Sequence, residues 1–356
     1  MYSHTFLDVK RFRFRTWISL FACFFVLFDL LSLSECNNDW QGYEDAYNQV
    51  YEAEGDIGYY GLNAICFNLG INYGDFYTFF QALTDLLLLI GFARLSDKGW
   101  HILLPMLLLM ISPNLPILIR YYFAFALLLN ALPFYIKKNY VKFGILCLVS
   151  FSFHSGLVLF IPVFLLYRIK KTNTEQQYIS KLLKYSLFVA IGKESVLAFL
   201  KLVGLNVFGL YADQGAQWMS SIYFDVMYFM WFCYCYYVHC KVVSHSPKVL
   251  KNDKTYSSLY YFIHYPLLFL FVSDIQIVGI RIFEPILIIC VAYLFYSAKY
   301  ITNRKLHLTA MCFLLLLLSS LMKYYFLGLI TGMSQWTIYY TEILISNTRS
   351  LLLNMF

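Results

Sequence analysis

Apolar stretches recur along the whole chain, and only short polar segments separate them. A helix needs about 20 apolar residues to cross roughly 30 Å of hydrocarbon, so the pattern predicts about eleven transmembrane helices, within a range of about 9–12. The predicted spans are residues 16–34, 76–93, 100–113, 117–136, 141–153, 156–167, 180–193, 222–240, 255–273, 279–298 and 306–322. Some are short for a full crossing, which favours tight hairpins or broken helices, notably within 100–113 and 141–167. The predicted fold class is an all-α polytopic membrane protein, with residues 1–356 forming a single integral membrane domain.

Composition agrees with this pattern. Hydrophobic residues make up 60% of the 356, aromatic residues 20% and charged residues only 13%, whereas about a quarter of the residues in a soluble domain are charged. The net charge of +7 would suit an acidic partner in a soluble protein. In a membrane chain the placement of Lys and Arg matters more than their sum, so no nucleic-acid partner is inferred.

Basic residues concentrate in alternate loops, and this orients the chain because cytoplasmic loops are enriched in Lys and Arg. The cytoplasmic set is Lys10, Arg11, Arg13, Arg15, Arg94, Lys98, Lys137, Lys138, Lys142, Arg168, Lys170, Lys171, Lys241, Lys248, Lys251, Lys254, Lys299, Arg304 and Lys305. The opposite side receives a long first extracytoplasmic loop, residues 35–75, which is acidic and aromatic. Chemistry is expected on that outer side.

Two arginines stand out because the positive-inside bias disfavours them where they lie. Arg120 opens a span at its outer end, after the helix-breaking Pro113 and Pro116. It could grip a phosphate with two parallel hydrogen bonds, or serve as an interfacial anchor. Arg281 has the same outer placement, although it could simply pair with Glu284 on one helix face.

His154 lies in "FSFHSGLVLF", at a predicted outer turn between two short spans. It is the one histidine that the predicted topology assigns to the outer side. It could act as a general base on a hydroxyl, or as a cation on phosphate. The alternative is an ordinary interfacial histidine that is hydrogen-bonded to backbone.

The outer segment 35–75 interleaves aromatic rings with carboxylates and amides. Rings pack on the apolar faces of sugars while polar groups take up their hydroxyls, so the mixture indicates a sugar site. The candidate residues are Asp45, Tyr59, Tyr60 and, from a second outer segment, Tyr211. An outer loop whose aromatic residues lie at headgroup level would give a similar pattern.

Motifs for metal and nucleotide binding are missing from the sequence. The nine cysteines lack metal-ligand spacing, and we find no phosphate-binding loop, HExxH motif or paired aspartates for a metal-bound nucleotide sugar. We therefore predict no metal and no cofactor. The energy available on the outer face would be that of an activated, lipid-linked substrate.

Four short motifs occur in a fixed order along the chain: "EGDIGYYGL" at 54–62, "RYYFAFA" at 120–126, "FHSGL" at 153–157 and "GIRIF" at 279–283. In this order the chain resembles the EpsG-like branch of the Wzy polysaccharide polymerases, from about residue 40 to 170 and again near 281. The resemblance implies polymerisation of undecaprenyl-diphosphate-linked oligosaccharide repeats into O-antigen or capsular polysaccharide.

What the resemblance implies extends to location and roles. The chain would lie in the bacterial inner membrane with a periplasmic active site, and its partners would be the bilayer, the lipid-linked oligosaccharide and a chain-length regulator. Arg120 and Arg281 would hold the diphosphate leaving group. His154 would take the proton of the acceptor hydroxyl, with Glu54 as a competing base, or would donate to the diphosphate.

Three rival functions share part of this pattern. A ligase that joins polysaccharide to lipid would use the same leaving group, and a membrane O-acyltransferase would also carry an essential histidine. A flippase for lipid-linked oligosaccharide is the non-enzyme alternative, but such transporters typically show internal repeats and charged residues along a central cavity. The sequence shows neither feature.

Overall fold

A computed structural model describes residues 14–31, 40–49, 55–95, 118–160, 175–192, 195, 218–272, 279–301 and scattered positions between 308 and 319. Over these residues every regular element is helical. The helices are α1 (Phe14–Leu31), α2 (Trp40–Asn48), α3 (Ile57–Asn68), α4 (Tyr73–Leu95), α5 (Ile119–Ile136), α6 (Tyr140–Phe153), α7 (Glu175–Ile191), α8 (Trp218–His245), α9 (Val249–Asn252), α10 (Lys254–Phe262) and α11 (Glu284–Ser297). The all-helical prediction is confirmed for the described part of the chain.

Two of the described helices are long and apolar enough to cross a bilayer, namely α4 over Tyr73–Arg94 and α5 over Ile119–Ile136. Both agree closely with predicted spans, and so do the bounds of α1, α6, α7 and α8. The predicted span 100–113 lies outside the described residues. The count of about eleven crossings therefore stays a prediction.

Several predicted spans are interrupted helices. The region 141–167 breaks after α6, where a short 3₁₀ helix follows over Ser155–Phe160, as the short apolar runs predicted. The span 255–273 divides into α10 and a second 3₁₀ helix, Tyr265–Val272. A π-helical turn at Gly279–Phe283 precedes α11.

The described residues of segment 35–75, which the sequence predicts to lie outside, are largely helical. The segment contains α2 and α3 and the start of α4, and its aromatic residues form much of a buried core. This core is Tyr47, Tyr59, Cys66, Tyr73, Phe76, Tyr77, Phe80, Ile119 and Phe123. The aromatic rings that the sequence suggested for sugars or lipid headgroups thus largely pack on one another.

The chain divides into two compact units, Met1–Val158 with Gln335–Phe356, and Leu159–Ser334. In the first unit α5 packs against both α4 and α6. Asn130 on α5 donates to the Leu87 carbonyl of α4 at 2.8 Å and accepts from Arg94 Nη1 at 3.1 Å. Ser150 on α6 donates to the Ala124 carbonyl of α5 at 2.7 Å. These hydrogen bonds, two of them from a side chain to a backbone carbonyl and one between side chains, hold the three helices in register.

In the second unit α8 and α10 both pack against α11. The Tyr256 hydroxyl of α10 links the other two helices, because it lies 2.9 Å from His239 Nδ1 and 2.7 Å from the Tyr293 hydroxyl. The His239 ring also stacks on Tyr260, with centroids 3.8 Å apart. A buried polar network therefore joins α8, α10 and α11.

Candidate active site

His154 lies at the break between α6 and the 3₁₀ helix that follows. α6 ends at Phe153, and His154 adopts an extended backbone conformation (φ −158°, ψ 108°). Its own N–H still bonds back to the Ser150 carbonyl. The change of direction lets the His154 ring and the N–H of Ser155 face the same neighbour.

That neighbour is Asp56, the residue before α3. Its Oδ2 lies 3.0 Å from His154 Nδ1 and 3.2 Å from Arg120 Nη1. Its Oδ1 accepts the Ser155 N–H at 2.9 Å. One carboxylate therefore brings together Arg120 and His154, which lie on separate helices and are 34 positions apart in the sequence.

The local sequence around Asp56 fits this placement. Gly55 has a φ of +143°, a conformation that residues with a Cβ rarely adopt. Gly58 lies against α6, because a Cβ there would be 2.4 Å from Ser152 Oγ and 3.0 Å from the Ser152 carbonyl carbon. The two glycines let the chain turn into α3 and let α3 approach α6 closely enough for Asp56 to reach His154.

The carboxylate of Asp56 does not cap its own helix. Asp56 is the N-cap residue of α3 but makes no side-chain capping hydrogen bond, although such a bond commonly contributes about 1 kcal/mol. Its oxygens instead bond groups that are 64, 98 and 99 residues away. The local stabilisation is forgone in favour of tertiary contacts.

Arg120 is the second residue of α5 and lies among tyrosine rings. Its guanidinium carbon is 5.2 Å from the ring centre of Tyr43, 5.3 Å from that of Tyr59 and 5.7 Å from that of Tyr60. Arg120 Nη1 also reaches the Tyr60 hydroxyl at 3.5 Å. The π faces attract the cation, and this interaction strengthens where water is excluded. The guanidinium is thus held in a fixed orientation with a side-chain exposure of 23%.

The three central groups are shielded from water to different degrees. The side chains of Asp56 and His154 are only 8% and 10% exposed, so Arg120 is the most accessible of the three. Tyr121 packs edge-on against the His154 ring, with centroids 5.5 Å apart. The arrangement combines a tightly held imidazole with a partly open cation.

Burial by itself raises the pKa of the Asp56 carboxyl. The hydrogen bond and charge of His154, the Ser155 N–H and the charge of Arg120 outweigh burial, so the net pKa lies below its usual value. Asp56 is therefore a carboxylate at neutral pH. A negative charge sits between the cation and the imidazole.

The other predicted site residues lie in different surroundings. Tyr60 contacts Arg120 through its hydroxyl, whereas Tyr59 is 1% exposed and contacts Arg120 only within the aromatic core. Asp45 is exposed on α2 and accepts a hydrogen bond from Gln41 at 2.8 Å. Binding of sugar by these three residues stays a prediction.

Glu54 and Tyr211 lie outside the described residues, so their predicted roles are neither supported nor opposed. Arg281 is buried at 5% exposure in the π-helical turn of the second unit. The side chain of Glu284, its proposed ion-pair partner, is also outside the described set. Among the described acidic residues of the outer segment, Asp56 is the one that meets His154.

Sequence reasoning missed Asp56, Tyr43 and the backbone of Ser155. A signal for Asp56 was present, because it lies between Gly55 and Gly58 within the motif that opens at Glu54. The sequence offers two neighbouring carboxylates, Glu54 and Asp56, and gives no indication of which groups either one contacts. Among the described residues no group of three or more His, Cys, Asp or Glu is arranged to hold a metal ion.

Comparison with known proteins gives one match. No curated protein and no solved structure matched the chain. The family model of the EpsG family matches residues 15–341, which includes Asp56, Arg120, His154 and Arg281. This match, with the apolar helices, indicates a membrane protein of polysaccharide biosynthesis with a polymerase-like function. The match covers nearly the full length of the chain and includes the four motifs that carried the resemblance. The chain therefore belongs to the EpsG family.

Proposed function

We propose that this chain polymerises undecaprenyl-diphosphate-linked oligosaccharide repeats into O-antigen or capsular polysaccharide at the periplasmic face of the bacterial inner membrane. The observation that carries the proposal is the joining of Arg120 and His154 through one carboxylate. A cation and an imidazole held side by side suit a reaction in which an anionic group leaves and a hydroxyl loses its proton. The family match supports the same class of function.

The reaction is a glycosyl transfer. A hydroxyl oxygen of one lipid-linked repeat attacks the anomeric carbon of the growing chain, and a glycosidic C–O bond forms. The C–O bond to the diphosphate breaks, and undecaprenyl diphosphate leaves with the electron pair. The hydroxyl proton passes to a base, so atoms and charges balance.

Arg120 is proposed to bind the departing diphosphate. Its hydrogen bonds to Asp56 and Tyr60 both leave from Nη1, and a guanidinium carries five N–H donors in a planar fork. Negative charge increases on the diphosphate as the bond breaks, so a cation fixed beside it lowers the barrier. Removal of one such donor typically slows a reaction about 10²–10³-fold. Arg281 is proposed as a second ligand on the basis of its sequence placement.

His154 is proposed to handle the proton of the acceptor hydroxyl. General base catalysis contributes about 10²–10⁴-fold in rate. The ring is held by Asp56 and Tyr121, which limits the orientations that it can take. The bilayer and a chain-length regulator remain proposed partners, and no nucleic acid is involved.

The test is made in cells that lack their native polymerase gene. Wild-type chain and the Arg120→Ala, His154→Ala and Arg281→Ala variants are expressed, and the length of the surface polysaccharide is read on a gel. We expect a ladder from wild type and single-repeat chains from each variant, because the loss of rate limits every addition.

The matched control is His245→Ala. His245 is exposed at the end of α8 and bonds the Lys241 carbonyl, so we expect a full ladder from this variant. Immunoblots of the membrane fraction confirm equal amounts of each protein. Long ladders from the Arg120 and His154 variants would contradict the proposal. Polymer that is made but not attached to lipid in the deletion strain would favour the ligase, and an unchanged ladder that lacks acyl groups would favour the acyltransferase.

A further inference from the structure

We propose that Asp56 is a positioning residue that sets the tautomer of His154, so that the neutral imidazole carries its proton on Nδ1 and accepts a proton at Nε2. This inference rests on the proposed function, because it assigns His154 the role of base instead of phosphate ligand. It concerns a residue that the sequence analysis did not name as a candidate.

In the hydrogen bond between His154 Nδ1 and Asp56 Oδ2, the imidazole is the donor. Asp56 lies 3.2 Å from the Arg120 cation and accepts the Ser155 N–H at 2.9 Å, as a carboxylate does, and a carboxylate can only accept hydrogen bonds. The 3.0 Å contact between Oδ2 and His154 Nδ1 therefore requires a proton on Nδ1. In a neutral imidazole the other nitrogen then carries the lone pair. The geometry thus assigns proton acceptance to Nε2.

The Asp56 carboxylate is held in a fixed orientation by partners on both of its oxygens. Its Oδ1 is engaged by the Ser155 N–H and its Oδ2 by Arg120, so the carboxylate plane is held from both ends. Ser155 follows His154 directly, and this ties the carboxylate to the backbone that carries the ring. Rotation of the imidazole by half a turn would break the Nδ1 bond and leave the buried carboxylate with one partner fewer, which is unfavourable for a buried charge.

The negative charge of Asp56 favours proton acceptance by His154. When Nε2 accepts a proton, His154 becomes an imidazolium next to a carboxylate, and the opposite charges stabilise that state. Asp56 also lies against Arg120, so Asp56, Arg120 and a neutral His154 together carry no net charge. A diphosphate that binds Arg120 would leave Asp56 bonded to His154 and Ser155. The carboxylate therefore supports the base while the cation binds the leaving group.

The test reads the tautomer directly. Full-length protein is labelled with ¹⁵N-histidine and reconstituted in lipid nanodiscs, and the ring nitrogens are observed by solid-state NMR at alkaline pH, where imidazoles are neutral. The His154 signals are those that His154→Gln removes. We expect a protonated Nδ1 and an unprotonated Nε2 in the wild-type chain.

In Asp56→Asn the replaced oxygen becomes an NH₂ donor, so at least one of the three bonds is lost, and an NH₂ in place of Oδ2 can accept from neither His154 nor Arg120. We expect the Nε2-protonated tautomer to increase at least several-fold and the polysaccharide ladder to collapse to single repeats. Asp75→Asn is the matched control, because Asp75 is exposed at the start of α4 and bonds Asn72. It should leave both the His154 signals and the ladder unchanged.

The outcomes separate the two proposals. A wild-type His154 protonated on Nε2, or a tautomer unaltered in Asp56→Asn, would overturn the positioning role whatever the activity. Long ladders from His154→Ala would overturn the proposed base while leaving the tautomer result intact. The wild-type spectrum decides the inference even if Asp56→Asn fails to fold.

Discussion

At the residue scale the molecule places two aspartates at helix N-caps and uses them differently. Asp253 caps α10 by accepting the Tyr256 N–H at 3.0 Å, and it also binds the Tyr300 hydroxyl at 2.6 Å and the Lys299 ammonium. The Asp56 side chain makes no capping hydrogen bond, and the partners described for its carboxylate are all distant in the sequence. Asp253 caps its helix and binds side chains just after the end of α11, which is a structural role. Asp56 makes no side-chain cap and instead contacts a cation and an imidazole, which indicates a role in the active site.

Asp253 gives a prediction for the dependence of stability on pH. Burial raises the pKa of the Asp253 carboxyl, but hydrogen bonds from Lys299, Tyr300 and the Tyr256 N–H, together with the Lys299 charge, lower it overall. A carboxyl whose folded-state pKa is depressed adds stability above its unfolded pKa of about 3.9, and this stability is lost as pH falls through the lower folded value. Asp253→Asn should therefore lower stability at pH 7.

Since Lys299 is 44% exposed, we expect a loss of about 1 kcal/mol and not the larger value of a buried pair. The measurement is the apparent unfolding temperature in detergent, followed by tryptophan fluorescence from about pH 7 to pH 3. The difference in apparent unfolding temperature between wild type and variant should become smaller as the pH falls towards about 3. A gap that persists at low pH would show that the variant acts through something other than the carboxylate charge.

At the element scale the site depends on how closely α3 approaches α6. Asp56 precedes α3 and His154 follows α6, so a small displacement of either helix separates the carboxylate from the imidazole. Gly58 lies directly against α6, because an added Cβ would meet Ser152 and Phe153. A helix of the same sequence with a larger residue there could form but could not dock in this position.

Gly58→Ala should therefore impair polymerisation. The new methyl group would lie 3.0 Å from backbone carbon, which cannot rotate away, so α3 must shift. We expect shortened ladders and a loss of about 1–3 kcal/mol in stability, as in other overpacked interfaces. Chain length on gels and the apparent unfolding temperature are the two measurements.

The matched control for this prediction is Gly61→Ala, one turn further along α3. A Cβ at Gly61 meets nothing within 4 Å, and alanine favours a helix by up to about 1 kcal/mol over glycine. The ladder should be normal and the stability equal or higher. Equal effects of the two substitutions would argue against close packing of α3 on α6 as the determinant of activity.

At the scale of the whole molecule the proposal requires a defined orientation in the membrane. The basic loops predict that the segment containing Asp56 is outside and that the segment around Lys241–Lys254 is inside. An exported lipid-linked repeat reaches the site only in this orientation.

Reporter fusions test the orientation. Alkaline phosphatase is active only outside the cytoplasm, whereas green fluorescent protein exported in unfolded form does not fluoresce there. We expect phosphatase activity for a fusion after Asn72, between α3 and the body of α4, and fluorescence for a fusion after Pro247, between α8 and α9. The reverse result would put Asp56, Arg120 and His154 on the cytoplasmic side and exclude a periplasmic polymerase.

The helical class, most of the described span positions and the break at 153–156 could be predicted from the sequence, because each depends on local information. Apolar runs of helical length and interrupting residues are visible without any knowledge of partners. Arg120 and His154 were identified for the same reason, since charged or polar groups in such runs are costly and stand out. That these two positions carry a cation and an imidazole can be read from the sequence without the tertiary structure.

Tertiary structure alone decided which groups meet. Glu54 and Asp56 are two positions apart in the sequence, and the sequence analysis named Glu54, whose role stays a prediction because it lies outside the described residues. The choice of Asp56 depends on contacts across 64 and 98 residues and on the fit of Gly58 against α6, and neither leaves a periodic trace. Tyr59 likewise resembled a sugar-binding ring but lies in the core beside Arg120. Local patterns determine which helices form, whereas the packing between them determines which carboxylate faces the imidazole.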